Sequence, residues 1–257
     1  MKYILIFVSW FNRKAKNLAI RLVKWTGKHR EYIHPKHLLI DESHYWYMPQ
    51  LSSDDLVADL GCGSGSHTIQ AASRASKVIG FDGNANNLSI AKRLVSEKNL
   101  TRVEFQFCNL EEPLPCVDSL FSAVLALDIL EHLHRRDEFL DEIFRILIPG
   151  GKLILSVPNS ETSWKKELRK YDLFYYSDLD HKHEYQQDEI KEVLERHGFR
   201  VFMCDPTVYD TPWVGLIDVV GGISLRLYEK FAQWKRNQAL KQPEEATGFR
   251  IVAVKTT

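Results

Sequence analysis

Short apolar runs alternate with helical stretches between Leu56 and Val157, and this alternation restricts the fold more than any other feature. The runs predict strands at Leu56–Leu60, Lys77–Asp82, Val103–Phe107, Ala123–Asp128 and Lys152–Val157. The stretches between them predict helices at Ser66–Ser73, Ala85–Lys98 and Arg136–Leu147. Nearly continuous apolar strands that are joined through helices indicate a parallel sheet covered on both faces, a doubly wound α/β fold. Beyond Val157 the pattern predicts a helix at Gln187–His197 and strands at Arg200–Cys204 and Phe249–Val254.

A glycine-rich turn, Asp59-Leu60-Gly61-Cys62-Gly63-Ser64-Gly65, joins the first predicted strand to the first predicted helix. Glycines there permit a tight turn and let a ligand approach the backbone and the amides of the helix N-terminus. A dinucleotide fingerprint requires glycine where this chain has Ser66, and the Asp59 carboxylate would repel a pyrophosphate. Asp82 ends the second predicted strand, where a carboxylate can accept hydrogen bonds from ribose hydroxyls. The pair of features predicts a ligand site at this edge of the sheet.

The ordered set of motifs resembles class I S-adenosylmethionine-dependent methyltransferases. The matching parts are Val57–Gly65, the Asp82 strand end, Phe121–His132 and Ile148–Lys152. The resemblance covers about residues 51–205 and the last strand. It implies a Rossmann-like seven-stranded sheet of order 3-2-1-4-5-7-6, with Phe249–Val254 as an antiparallel strand inserted between the fifth and sixth.

The resemblance also implies that S-adenosylmethionine is bound and assigns residues to it. The methionine end would lie at Asp59 and the turn residues Gly61, Cys62, Gly63 and Gly65, since its cationic amino group tolerates an acid. The ribose would lie at Asp82 and Gly83, the adenine at Asn109 and Leu110, and Asp128 would complete the site. The family often has Asp at the adenine corner; the amide oxygen of Asn109 can still accept from the adenine amino group.

Asp128, Glu131 and His132 follow the fourth predicted strand, and His181 lies in a later segment that returns toward the same edge. This arrangement looks like the metal-assisted ubiquinone-biosynthesis O-methyltransferases and small-RNA terminal-ribose methyltransferases. Three interpretations stay open. The four side chains bind a divalent metal, His132 or His181 acts as a general base without metal, or the residues only position the cofactor and the next helix.

Residues 1–30 carry eight basic side chains and no acidic one, although the chain as a whole has 34 Lys+Arg and 34 Asp+Glu. Global charge therefore gives no argument for nucleic-acid binding, whereas this segment has a charge of its own. Its apolar residues recur on one predicted helical stripe of Ile4, Val8, Phe11, Ala15, Leu18, Leu22 and Trp25. An amphipathic basic helix either lies on an anionic membrane surface or packs on its own domain with a solvated basic face.

We expect a basic arm and flap over residues 1–50 and a methyltransferase domain over 51–257 with cap insertions at 159–185 and 206–247. The predicted flap over the cofactor cleft holds His34, His37, His44, Tyr45, Trp46 and Tyr47. The second insertion is rich in apolar and cationic residues, and we expect it to meet the arm beside the mouth of the active site. Such a surface favours a lipid-linked, isoprenoid or glycolipid hydroxyl as acceptor; a soluble sugar, a small metabolite and an RNA end stay open.

The sequence also leaves other functions open and indicates where the protein is located. A non-catalytic S-adenosylmethionine-binding regulatory protein remains an alternative, aminopropyl transfer has little support, and Ser66 and Pro149-Gly150-Gly151 disfavour a nicotinamide oxidoreductase. Widely spaced cysteines indicate a reduced, cytoplasmic protein. The apolar run Tyr3–Phe11 is too short to span a membrane, so we expect at most peripheral attachment at the inner membrane face.

Overall fold

A computed structural model describes residues 1–30, 32–39 and 44–256. They form two compact units. The helical unit comprises Met1–His44, Asn159–Ser177 and Pro206–Gly248. The sheet unit comprises Tyr45–Pro158, Asp178–Asp205 and Phe249–Thr257.

The sheet unit is built on a mixed seven-stranded sheet of order β3-β2-β1-β4-β5-β7-β6. Its strands are β1 Leu56–Leu60, β2 Lys77–Asp82, β3 Val103–Phe107, β4 Phe121–Leu127, β5 Leu147–Pro158, β6 Phe199–Pro206 and β7 Gly248–Lys255. The pairs β3-β2, β2-β1, β1-β4 and β4-β5 are parallel, so the ends of β1, β2 and β4 reach the same edge. The predicted fold class and strand order are confirmed.

Helices cover both faces of this sheet. They are α2 Ser66–Ala71, α3 Ala85–Glu97, α4 Arg136–Ile146 and α6 Gln187–Arg196. One core cluster packs α4 and α6 on the sheet, and a second packs α2 and α3 on the opposite face. Along β4 the residues Val124 and Ala126 belong to the first cluster, whereas Ala123 and Leu125 belong to the second. Because both of its faces are buried, β4 is apolar at every position except Ser122 rather than alternating.

The helical unit contains α1 Lys2–Trp25, α5 Ser163–Lys170, α7 Val214–Ile223 and α8 Leu225–Lys241. Thus the basic arm and the second insertion do meet, because α1 packs along α7. Glycines permit the close approach. A Cβ on Gly215 would lie 2.8 Å from the Cβ of Ala15, and one on Gly222 would lie 2.6 Å from the Cβ of Leu22. Short 3-10 helices at Pro35–Leu38, Met48–Gln50, Leu130–His132 and Pro243–Glu245 complete the described elements.

The stripe predicted for α1 agrees only in part with the structure. Its residue Ala15 is buried and Val8, Phe11 and Leu22 are half-buried, whereas Ile4, Leu18 and Trp25 are exposed. The structure also buries Leu5, Ala19 and Val23, each one residue away from a predicted position. Small residues contribute to the packed face because α7 approaches closely, and a stripe drawn mainly through the larger side chains therefore missed Ala19.

The segment predicted as a flap is divided between the two units. In the helical unit, Nε2 of His34 lies 3.1 Å from a carboxylate oxygen of Asp218. In the sheet unit, Tyr47 is fully buried in the core, and its hydroxyl donates to the carbonyl of His67 over 3.1 Å. The side chain of His37 and residues 40–43 lie outside the described residues.

No helix within the described ranges is long and apolar enough to cross a membrane.

The α1–α7 contact generates a stability prediction. We expect Gly222→Val to lower the free energy of unfolding of the helical unit by about 2 kcal/mol, since the larger side chain meets Leu22 and Ala19 in packed surroundings. Chemical denaturation followed by circular dichroism measures the change. The matched control is Ile223→Ala at the end of the same helix, where the side chain is 61% exposed and we expect a change within about 0.5 kcal/mol. Equal effects of the two variants would contradict this packing.

Candidate functional site

The glycine turn after β1 adopts a conformation that only glycine accepts easily. Gly61, Gly63 and Gly65 have φ angles of +81°, +53° and +84°. A Cβ on Gly61 would lie 2.8 Å from Cγ1 of Ile129, and one on Gly65 would lie 2.5 Å from Cζ of Phe105. A Cβ on Gly63 would have no neighbour within 4 Å among the described residues. The turn is therefore packed on two sides and open at Gly63, where a ligand can approach the backbone.

Asp82 holds this turn in place. Its Oδ2 accepts from the amide of Gly63 and its Oδ1 from the amide of Asn84, each over 2.8 Å. The first bond joins the turn to the end of β2, and the second fixes the start of α3, whose N-cap is Asn84. Since each carboxylate oxygen has a second lone pair, Asp82 can still accept from the hydroxyls of a ribose.

Asp59 is a buried carboxylate behind the turn, only 2% exposed. Its Oδ2 accepts from the hydroxyl of Thr68 over 2.6 Å. Burial, together with the charge of Asp82, raises the pKa of Asp59 to about 6. Burial also raises the pKa of the neighbouring Cys62 thiol well above its ordinary value, so Cys62 stays a neutral thiol at pH 7. The protein itself therefore stabilises the ionised form of Asp59 only weakly, and a cationic ligand group at the turn would stabilise it further.

The predicted adenine corner forms a local turn after β3. Asn109 is exposed; its side-chain oxygen accepts from the amide of Glu111 over 3.2 Å, and its amide group donates to Glu112 over 2.9 Å. Leu110 is buried in the core cluster next to it. A Cβ on Gly83 would lie 3.5 Å from the carbonyl oxygen of Cys108, an ordinary contact. The corner and the end of β2 are joined because the amide of Cys108 donates to the carbonyl of Asp82 over 3.1 Å.

Asp128 follows β4 and has a positive φ of +52°. The hydroxyl of Ser156 donates to its Oδ1 over 2.7 Å, and its own amide donates to the carbonyl of Ser156 over 3.1 Å. Its side chain is exposed, and it is not part of the cluster that Glu131 and His132 form. Asp128 is therefore not one of the three clustered candidate metal ligands, and its cofactor role stays a prediction.

Glu131, His132 and His181 do come together. One potential ligand atom from each lies within 4.8 Å of the other two. The rings of His132 and His181 meet edge to face with centroids 4.8 Å apart. Ile129, which packs against Gly61, places this cluster beside the glycine turn. The later segment is fixed to it through the carbonyl of Glu131, which accepts from the amide of Lys182 over 2.7 Å.

The carboxyl group of the cluster, that of Glu131, is buried. Glu131 is 1% exposed, and its Oε2 has no hydrogen-bond partner among the described residues. Burial, with the charges of Asp128 and Glu184, raises the pKa of Glu131 to about 9. Burial and the neighbouring His181 lower the pKa of His132 below its ordinary value. Without a cation, Glu131 is therefore protonated and His132 neutral at pH 7.

Sequence reasoning assigned no role to Glu184, which lies three residues after His181. Its Oε1 is 2.8 Å from Nδ1 of His181, and its side chain is fully buried. A carboxylate at Nδ1 fixes the orientation of the ring and makes the opposite nitrogen more basic. The His-x-x-Glu spacing was the available signal, because it puts both side chains on one face of a turn. Thr68, which supports Asp59, and Ser156, which supports Asp128, were likewise missed.

Residues 51–198, more than half of the chain, match the profile of a family described as "Methyltransferase domain". The chain belongs to the class I S-adenosylmethionine-dependent methyltransferases. The family implies S-adenosylmethionine as its cofactor.

Curated members of the methyltransferase family match parts of the chain. The mitochondrial ubiquinone biosynthesis O-methyltransferase of Rattus norvegicus is 31% identical over 105 residues, 40% of this chain and 30% of that protein. A probable S-adenosylmethionine-dependent methyltransferase of Mycolicibacterium smegmatis is 31% identical over 145 residues, 56% of this chain and 52% of that protein. The O-methyltransferase resE of Aspergillus sclerotiorum is 28% identical over 159 residues, 58% of this chain and 56% of that protein. The matches thus span between about a third and just over half of these relatives.

Solved structures share the fold. The [4+2]-cyclase SpnF superposes with a TM-score of 0.62 and 20% identity, over 84% of this chain and 82% of that chain. An S-adenosylmethionine-dependent methyltransferase of Methanosarcina mazei gives a TM-score of 0.57 and 21% identity, over 80% of this chain and 94% of that chain. At these identities the likeness concerns the fold alone.

The raised pKa of Asp59 generates a binding prediction. We expect the affinity for S-adenosylmethionine to rise between pH 5 and pH 7, because the carboxyl ionises near pH 6 and then attracts the cationic amino group. We expect Asp59→Asn to weaken binding at pH 7.5 by at least tenfold and to flatten the pH profile. Isothermal titration calorimetry across this range measures both effects. Asp54→Asn, an exposed acid in the same region, is the control that should keep the normal profile. An unchanged profile in Asp59→Asn would refute this role.

Proposed function

We propose that the enzyme transfers the methyl group of S-adenosylmethionine to a hydroxyl oxygen of a small-molecule, lipid-linked or sugar acceptor, with a lipid-linked hydroxyl preferred. The observation that carries the proposal is the cluster of Glu131, His132 and His181 beside the glycine turn. A hydroxyl is a weak nucleophile until its proton is removed, so its methylation requires a group that takes up this proton. His181, whose Nδ1 is held by the buried side chain of Glu184, provides such a group.

Methyl transfer requires that the acceptor and the methyl group are aligned and that the hydroxyl proton is removed. In the proposal, Asp59 and the open backbone at Gly63 hold the methionine end, and Asp82 holds the ribose. The sulfonium is already activated, so the enzyme gains rate chiefly by holding acceptor oxygen and methyl carbon in line. As the oxygen–carbon bond forms and the carbon–sulfur bond breaks, the hydroxyl proton passes to Nε2 of His181, whose Nδ1 is held by Glu184.

The same cluster suits a divalent cation. Glu131 contributes a buried carboxylate oxygen without a partner among the described residues, and two histidines add ring nitrogens. The contact between Glu184 and His181 is the kind of support that metal-binding histidines receive. As the alternative to proton uptake by His181, we propose that Glu131, His132 and His181 hold such an ion, with Nε2 of His181 bound to the metal instead of accepting the proton. When bound, it would lower the pKa of the acceptor hydroxyl; Asp128, which lies apart, would remain with the cofactor.

The relatives support the choice of oxygen as the methylated atom. Two of the three relatives described above carry the name O-methyltransferase, and one of these acts in ubiquinone biosynthesis according to its name.

Product profiling with a labelled donor tests the proposal. Purified enzyme, S-adenosylmethionine labelled in its methyl group and a lipid extract are incubated, and labelled products are identified by mass spectrometry. We expect a methyl ether on a lipid-soluble product. Label on nitrogen or carbon only, or on RNA ends in a parallel reaction, would overturn the assignment. Cofactor binding without labelled product from any extract would favour a regulatory protein.

Variants of the cluster give a more specific prediction. We expect His181→Ala to lower kcat by about 100-fold or more, and Glu184→Gln to lower it by about tenfold with a shifted pH profile, because the first loses the proton acceptor and the second its orientation. KM for S-adenosylmethionine should stay nearly constant. His197→Gln is the matched control, since His197 makes a similar 2.7 Å contact with Asp141 elsewhere in the fold.

Chelation distinguishes a cluster that holds a metal ion from one in which His181 accepts the proton without a metal. If a metal is held, calorimetry with Mn²⁺ shows one site that Glu131→Gln and His132→Ala remove, and chelator abolishes activity that Mn²⁺ restores. Full activity in chelator, with no Mn²⁺ binding, would refute the metal and leave His181 as the proton acceptor.

A further inference from the structure

One end of α1 exposes an unusual number of large apolar side chains. The exposed ones are Tyr3, Ile4, Ile6, Phe7 and Trp10. Phe7 is 61% exposed and Trp10 is 48% exposed, and their rings stack with centroids 6.0 Å apart. Contiguous exposed apolar surface of this kind marks an interaction site. The segment of residues 3–10 is called the apolar tip below.

The rest of α1 and the residues that follow it are strongly basic. Residues 12–30 contain Arg13, Lys14, Lys16, Arg21, Lys24, Lys28 and Arg30, and residues 1–30 contain no acidic side chain. Arg13, Lys14, Arg21 and Lys24 are all exposed. This set, called the basic shaft below, therefore directly follows the apolar tip along one helix.

The contact with α7 shows where the tip ends. Asn12 donates to the carbonyl of Pro212 over 3.0 Å and accepts from the amide of Gly215 over 3.1 Å, so α7 begins beside Asn12. The part of α1 that precedes Asn12 measures about 15 Å at the rise of a helix, about half of the hydrocarbon thickness of a bilayer. Because Leu5 is buried while its large neighbours are exposed, the tip is held to its own unit on one side and offers its other side to one leaflet.

Aromatic residues lie near the level where the tip meets the shaft. Trp213 follows Pro212 directly and is 61% exposed, and Trp234 of α8 is 43% exposed. Both line an apolar groove of about 610 Å³ between α7 and α8, in which Lys230 is the charged residue. Tryptophan is enriched at the boundary between lipid and water, because its ring is apolar and its N–H can reach polar groups.

We propose that the helical unit docks on an anionic lipid bilayer, with the apolar tip below the headgroups and the basic shaft against their phosphates. The charges specify the occupant, since eight cations without an acid complement an anionic surface. The large apolar side chains ahead of them require an apolar medium, which a nucleic acid does not offer along its phosphates. The buried face of α1, with Leu5, Ala15, Ala19 and Val23, anchors the helix to its own unit while the opposite side remains available.

Vesicle flotation tests this docking with the full chain. We expect the protein to float with vesicles of phosphatidylglycerol and phosphatidylcholine, to float at least tenfold less with phosphatidylcholine alone, and to lose binding as salt is raised. Phe7→Glu should reduce flotation at least tenfold, because it places a charge in the leaflet. Phe202→Ala in β6, with a side chain that is 63% exposed, should float normally.

Charge reversal tests the basic shaft separately. Arg13→Glu/Lys14→Glu should reduce flotation at least tenfold, whereas Lys98→Glu/Arg102→Glu changes the total charge equally at two other exposed sites and should have little effect. Circular dichroism confirms that the variants are folded. Absence of flotation with every vesicle would overturn the proposal. So would a tip that pairs with a second copy of the chain, seen as a dimer that Phe7→Glu converts to monomer without any change in flotation.

Discussion

The carboxylate of Asp82 is the contact on which the cofactor site depends. It accepts from the amides of Gly63 and Asn84 over 2.8 Å each, and so connects the turn after β1 to the beginning of α3. A glycine turn with three positive φ angles has little rigidity of its own, because glycine restricts the backbone least. The bond from Gly63 fixes the turn in the one shape that leaves its backbone open. The position of Asp59 behind the turn, and of Ile129 against Gly61, follows from that shape.

In the proposed function, different parts of the sheet edge bind the methyl donor and the acceptor. The ends of β1 and β2 provide the groups that suit S-adenosylmethionine, namely a weakly stabilised carboxylate, an open backbone and a ribose acceptor. The segment after β4 provides the chemistry for the acceptor, because it brings Glu131 and His132 to His181. Because the sulfonium is reactive in itself, the groups at the ends of β1 and β2 decide which cofactor binds, and the cluster after β4 decides which atom is methylated. In our account the helical unit contributes to neither of these groups. Its apolar tip and basic shaft bind the membrane surface in which a lipid-linked acceptor would lie.

The sheet could be predicted well from the sequence, and the helical unit only in part. Strand β1 has the predicted bounds because a strand buried on both faces is mostly apolar, and Asp59 is its one polar residue. The packed face of α1 was predicted only in part, because Ala19 packs against Gly222 of α7 and a pattern based mainly on large side chains does not register such a contact. In the site, the cluster of Glu131 with two histidines was predicted, whereas the separation of Asp128 was not. Asp128 does not share a helical face with Glu131 and His132, because its φ is positive. A sequence pattern does not reveal a positive φ.

Calorimetric titration of the full chain with S-adenosylmethionine, its demethylated product and NAD tests the central claim most directly. The account predicts one site that binds the first two ligands with micromolar affinity and does not bind NAD. It also predicts that Asp82→Asn weakens both ligands strongly, because the variant loses an acceptor for the Gly63 amide and for the ribose together. Binding of NAD, or unchanged affinity for S-adenosylmethionine in Asp82→Asn, would contradict it.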